Sequence, residues 1–198
     1  MIPSKILWVD VETTGLSPKR NGIISIAAFM MVDGAIDPVK GRFVAEMNPV
    51  GREIEDSALA VNGLNREQIA SFHDWQHVGI EFATWMASFC TVFPMDKAVC
   101  GGYGTSFDVR MIKNWFPETG AYGFHDFIEP TLLDVCEMAK RSLHPDLCLL
   151  PNKKLSTVSK ALGIDLGNKA HNAEADILAT IEVWKKLVEF DEKGIVNV

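Results

Sequence analysis

The chain has 198 residues, 47% of them hydrophobic, which suits one compact domain spanning 1–198 with a buried core. Its 26 acidic and 19 basic residues leave a net charge of −7, which argues against wrapping long duplex DNA by broad phosphate neutralisation. That balance still permits a small site that grips one chain end through metal ions.

The N-terminus, MIPSKILWVDVE, has no apolar run of signal-peptide length, and no later segment approaches the roughly 20 apolar residues of a membrane helix. A soluble, non-exported, cytoplasmic protein with no membrane partner is expected. Cysteines at 90, 100, 136 and 148 show neither CxxC nor tight spacing, so reduced and mostly buried thiols are expected rather than a zinc site or disulfide framework.

Lys5 to Val11 reads as a central strand covered on both faces. Gly22 to Val32 is a second apolar strand and Val39 to Met47 a third, with VDGAIDP as the turn between them, which suggests an antiparallel meander. ALAVNGLNREQIASF reads as short helices, after which Asp74 caps a long helix with Val78, Phe82, Trp85 and Phe89 on one stripe, ended by Pro94. Lys97 to Gly101 is a short strand leading into a helix over SFDVRMIKNWF, where Phe107, Met111 and Trp115 recur at helical spacing. Thr131 to Leu143 and Lys154 to Leu162 read as helices. Glu174 to Phe190 reads as a last long one, with Ile177, Ile181, Trp184 and Val188 along one face. Three hairpin strands followed by alternating helices and short strands imply an α/β fold, a mixed sheet with helices on its faces.

Within WVDVETTGL two acids interrupt the first strand. Side chains alternate along a strand, so Asp10 and Glu12 share a face, their Cα atoms about 6.5 to 7 Å apart, while Val9 and Val11 face the other way. An isolated D-x-E is usually the polar end of a strand. Two further acids give it weight: Asp108 at a strand-to-helix junction, and Asp176 in HNAEAD just inside the last helix. Taken singly, each is an ordinary acid favoured at a helix N-terminus. Brought together, each pair near 5 Å repels by roughly 3 kcal/mol at an effective dielectric near 20, so the cluster needs cations.

Oxygen ligands with no cysteine nearby suit two hard divalent ions, Mg²⁺ or Mn²⁺, and two such ions suit phosphodiester hydrolysis. His171, with an ordinary pKa of about 6.5, is suited to take a proton from an attacking water. On a regular helix it would splay from Asp176 by roughly 140°, so convergence is easier if His171 lies in a loop and Asn172 caps the helix.

Asp10-x-Glu12, Asp108 and His171-x-Ala173-x-x-Asp176, in this order, resemble the DEDD superfamily of 3′-to-5′ exonucleases in its histidine branch. ETTGL, IISIAAF, ALAVNGLNREQI, FDVRMI and KLSTVSKALGI fall where that family places comparable pieces, so the resemblance covers nearly the whole chain.

The resemblance implies a ribonuclease H-like fold. It also implies that Asp10, Glu12 and Asp176 hold the metals with Asp10 shared, that Asp108 assists through the second ion or its waters, and that His171 is the general base. The ETTGL turn would hold the 3′-terminal nucleotide, with Thr13 and Thr14 near sugar and phosphate, Leu16 against the base, and Phe107 against a base or sugar. Leu16 as a turn hydrophobe and Phe107 as helix core are the plain alternatives. Family members often carry asparagine four residues before the third acid, where this chain has Gly104.

The substrate implied is nucleic acid with a free 3′ end, DNA over RNA, with a polymerase or another replication or repair protein as partner. Dimerisation through Trp75, Trp85 and Phe89 competes with a core role for the same rings. DVETT also superficially resembles the DxDxT motif of haloacid dehalogenase-type phosphatases, which leaves HxAxxD unexplained. An inactive nuclease-like binding module is disfavoured because all four acids and the histidine are present.

Overall fold

The computed structural model describes residues 2–91, 96–120, 123–165 and 172–195, with side chains as far as 192. In chain order the elements are β1 (Lys5–Thr13), β2 (Ile23–Val32), β3 (Ala35–Ile36), β4 (Arg42–Asn48), α1 (Asp56–Asn62), α2 (Arg66–Ala70), β5 (His73–Asp74), α3 (Trp75–Ala87), β6 (Ala98–Gly102), α4 (Ser106–Trp115), β7 (Ile128–Asp134), α5 (Val135–Arg141), α6 (Pro145–Cys148), α7 (Leu155–Ala161) and α8 (Ala173–Ile195). Two short 3₁₀ turns, Phe116–Thr119 and Phe124–Asp126, follow α4.

The strands form one mixed sheet in the order β5-β4-β2-β1-β6-β7, with β3 pairing β2. β1, β2 and β4 are an antiparallel meander, while β6 runs parallel to β1 and β7 parallel to β6. Alternation along β1 divides the core. Leu7, Val9 and Val11 pack with Val78, Phe82 and Met86 of α3 and Val109 and Ile112 of α4. Ile6 and Trp8 face the opposite layer, Val135 of α5, Val158 of α7 and Ile177, Ile181 and Trp184 of α8. This burial on both faces is why β1 reads as an unbroken apolar run. Asp10 and Glu12 continue the Ile6–Trp8 side, toward α8.

Three local expectations are corrected. The third strand starts at Arg42, not Val39, because the Asp37 side chain accepts the N–H groups of Val39 and Lys40 and folds 37–41 into a loop. Thr131–Asp134 is strand rather than helix. Pairing of Leu132, Leu133 and Asp134 with Cys100, Gly101 and Gly102 overrides the helical pattern, and Asp134 then caps α5 through the N–H groups of Cys136 and Glu137. The α3 helix is capped by Asp74 as expected but ends at Ala87, so Phe89 lies beyond it; Pro94 lies outside the described residues.

Trp75, Trp85 and Phe89 pack against the core, with the Trp85 ring N–H donating to the Lys40 carbonyl, so the core role holds for all three. The cysteines are free, Cys90 and Cys100 buried, Cys136 half-buried and Cys148 exposed, which corrects "mostly buried" to half. Among the described residues no helix is long and apolar enough to cross a membrane.

Candidate active site

β1 and β6 pair in parallel only over Ile6–Trp8 and Val99–Gly101. Past that point β6 turns away into α4, opening a crevice at the carboxyl ends of the two strands. The separation leaves the Val11 N–H without a strand partner. The Asp108 carboxylate takes it, accepting from Val11 at 3.2 Å in a buried contact. Asp108 sits in the first turn of α4 with 5% exposure. One carboxylate therefore ties the helix to the strand that carries Asp10 and Glu12.

The third acid arrives on α8. Asn172 stands before Ala173, and its side chain accepts from the N–H groups of Glu174 at 3.1 Å and Ala175 at 3.2 Å, which is the N-cap expected of it. That cap sets the first turn, and Asp176 follows, its N–H donating to the Asn172 carbonyl at 3.0 Å. Asp10, Glu12 and Asp176 each place a carboxylate oxygen within 4.8 Å of the others. Asp108 stands outside that group of three, and His171 lies outside the described residues.

Among the described residues no lysine, arginine or histidine forms an ion pair with Asp10, Glu12 or Asp108. The electrostatics follow. Burial, then the charges of Asp108, Glu12 and Asp176, push the Asp10 carboxyl well above its ordinary range. Burial and then Asp176 raise Glu12 to about 7. Burial raises Asp108 to about 7 even though the Val11 and Asp108 N–H groups favour its charged form. Three converging carboxylates, two of them, Asp10 and Glu12, held above their ordinary range, with no sulfur donor among them, fit a hard divalent cation.

A cleft of about 360 Å³ opens beside Glu12, lined among others by Val11, Thr13, Leu16, Ala58, Val61 and Phe107. Leu16 is 80% exposed, so the turn presents it to the cleft rather than to the core. Phe107 is partly buried, packing against the core and lining the cleft.

The turn itself is built tightly. A Cβ on Gly15 would stand 2.5 Å from Asn21 Cγ and Glu55 Oε1. Thr13 Oγ1 donates to the Gly15 carbonyl at 2.9 Å. Thr14 departs from expectation: it is 0% exposed, its hydroxyl donates to the Glu53 carbonyl at 2.6 Å and accepts the Gly22 N–H at 2.9 Å. That hydroxyl locks the turn and is not available to sugar or phosphate.

Gly104 has φ of 79°, a conformation that glycine and asparagine both tolerate, and its N–H donates to Asp134 at 3.0 Å. Sequence reasoning missed α1 as the far wall of the cleft, where Asn62 also donates to the Thr13 carbonyl at 3.0 Å, and Asn21 as the organiser of the turn. No local pattern marks either one.

The sequence profile described as RNase_T, exonuclease, matches residues 7–184. The PolC-type DNA polymerase III of Oceanobacillus iheyensis is 29% identical over 189 residues, covering 95% of this chain and 12% of that protein. The PolC-type polymerase of Thermotoga petrophila is 24% identical over 185 residues, covering 93% and 12%. The chain thus spans about an eighth of the length of these curated relatives. Among solved structures, the zinc-bound form of the E. coli exonuclease I complex with single-stranded DNA superposes with a TM-score of 0.77 at 21% identity, over 96% of this chain and 41% of that one. A product-bound exonuclease I gives 0.72 at 21%, over 94% and 43%. At that identity the likeness carries the fold.

Proposed function

The chain belongs to the exonuclease family, and we propose that it hydrolyses nucleic acid stepwise from a free 3′ end, single-stranded DNA in preference to RNA, releasing nucleoside 5′-monophosphates. The observation that carries this reading is the convergence of Asp10, Glu12 and Asp176 beside a cleft faced by Leu16 and Phe107. The DNA preference is supported by the similarity to DNA polymerases and by the single-stranded DNA bound in the exonuclease I complex.

Asp10, Glu12 and Asp176 would hold two divalent cations, Mg²⁺ or Mn²⁺, with Asp10 contributing to both and Asp108 assisting at the second. Such ions, when bound, lower the pKa of a coordinated water and neutralise charge developing on the phosphate. Leu16 and Phe107 bracket the terminal base or sugar through apolar contact, and Thr13 lines the floor beneath them. Apolar walls accept any base by its flat face, so removal proceeds without regard to sequence. His171 takes the proton of the attacking water, its ordinary pKa lying near neutral pH. Residues 1–198 act as one exonuclease domain, in the cytoplasm, alongside a replication or repair partner.

The test incubates 5′-labelled DNA and RNA oligomers with the protein and Mg²⁺ or Mn²⁺, alongside Asp10→Ala and His171→Ala. The expected result is a ladder shortening from the 3′ end, faster on DNA, lost with EDTA and in Asp10→Ala. Absence of cleavage under every metal overturns the reading. Hydrolysis of small phosphate monoesters without shortening points instead to phosphatase chemistry.

A further inference from the structure

The surface next to the cleft carries a second feature. The α4 helix begins at the cleft with Phe107, and its single acid, Asp108, is buried. Its exposed positions are Ser106, Arg110 and Lys113, so this face displays positive charge alone on a chain whose net charge is −7.

The loop after Leu16 lies along the same helix: Asn114 donates to the Pro18 carbonyl at 2.5 Å, which sets the exposed Lys19 next in line. Among the described residues, Arg110, Lys113 and Lys19 form no ion pair, whereas Arg20, Arg42, Arg52 and Arg66 each face a carboxylate. Arg110 Nε donates to the Ser106 carbonyl at 3.1 Å. That bond draws the guanidinium back along the helix toward the cleft end and leaves its two terminal nitrogens for another acceptor. Arg110 and Lys113 follow Phe107 at steps of about 4.5 Å along the axis.

We propose that Arg110, Lys113 and Lys19 form a phosphate track that carries the substrate strand upstream of the terminal nucleotide. This rests on the exonuclease reading above. The ligand is the phosphodiester backbone of a single strand, gripped without regard to base. An acidic protein thereby holds a polyanion along one narrow line of unpaired cations.

The experiment compares wild-type protein with Arg110→Gln/Lys113→Gln and with Lys40→Gln, which removes one cation from the loop between β3 and β4. Binding of a labelled oligothymidylate is followed by anisotropy across a salt series. Hydrolysis is measured on the same oligomer and on the 4-nitrophenyl ester of thymidine 5′-monophosphate, which has no upstream phosphate.

In the double variant the slope of log affinity against log salt should flatten by about 1.4, roughly 0.7 for each single-strand phosphate that the protein no longer neutralises. KM for the oligomer should rise several-fold while kcat and ester hydrolysis hold, and Lys40→Gln should match wild type. An unchanged slope and KM in the double variant, or an equal effect in Lys40→Gln, overturns the track. Failure of the wild type to cleave either substrate overturns the catalytic reading alone, because the anisotropy slope still decides the track.

Discussion

At the scale of single residues, the acid cluster sets activity against stability. Burial and the neighbouring carboxylates raise Asp10 well above its ordinary range and both Glu12 and Asp108 to about 7. Each folded-state value lies above the unfolded one, so protonation favours the folded protein. The metal-free chain therefore holds this stability below about pH 4 and loses it as pH rises through 7. Replacing Asp10 by Asn removes the most hindered charge. We expect Asp10→Asn to abolish exonuclease activity, yet to melt higher than wild type in EDTA at neutral pH. A gain of about 1 kcal/mol would appear as roughly 2–4 °C at this size. The gap between the two melting temperatures should widen from pH 4 to pH 7.5 in thermal scans. A gap that is constant or reversed would remove the electrostatic account of the cluster.

At the scale of elements, the site depends on how β1, α4 and α8 are started and stopped. Asn172 caps α8 one turn ahead of Asp176, so Asn172→Ala should cost about 1 kcal/mol of stability and also weaken divalent-ion binding. Asn172→Asp should restore both. Denaturant unfolding and metal titration check the pair together, and metal affinity unchanged in Asn172→Ala would mean that the cap does not set Asp176. Gly15→Ala should damage the turn, since its Cβ would collide with Asn21 and Glu55; a raised KM with little change in kcat is the expected kinetic sign.

These elements also divide what could be read in the sequence from what could not. Asp10 and Glu12 were legible because strand alternation fixes their common face, and the Asn172 cap because capping is chemistry within a few residues. Thr131–Asp134 misled because its pairing partner, β6, lies about thirty positions earlier and nothing local announces it. Thr14 misled for a related reason: its hydroxyl is claimed by Glu53 and Gly22, and only the folded turn brings them to it. The role of α1 as the wall opposite Phe107 is likewise a product of long-range packing.

At the scale of the whole molecule, cation binding and folding are linked. The unfolded chain scatters Asp10, Glu12 and Asp176 along the sequence and binds a divalent ion weakly, whereas the folded chain holds three carboxylate oxygens within 4.8 Å. An ion that prefers the folded state stabilises it by RT ln(1 + [L]/Kd), about 2.7 kcal/mol at a hundredfold excess over Kd. It also relieves the repulsion that raised the carboxyl groups, so its effect must grow with pH. At neutral pH, saturating Mn²⁺ should raise the melting temperature by roughly 5–10 °C relative to EDTA, given about 2–4 °C per kcal/mol at this size. At pH 4.5 protons compete for the same oxygens, and the shift should shrink to a small fraction of that. Asp10→Asn should show little shift at either pH, because it starts from the relieved state and lacks one of the three converging carboxylates. Calorimetric scans of the two proteins at two pH values, with and without Mn²⁺, separate the effect from general salt stabilisation, which would move both proteins alike. An equal Mn²⁺ shift in wild type and Asp10→Asn would assign the ion to some other part of the surface.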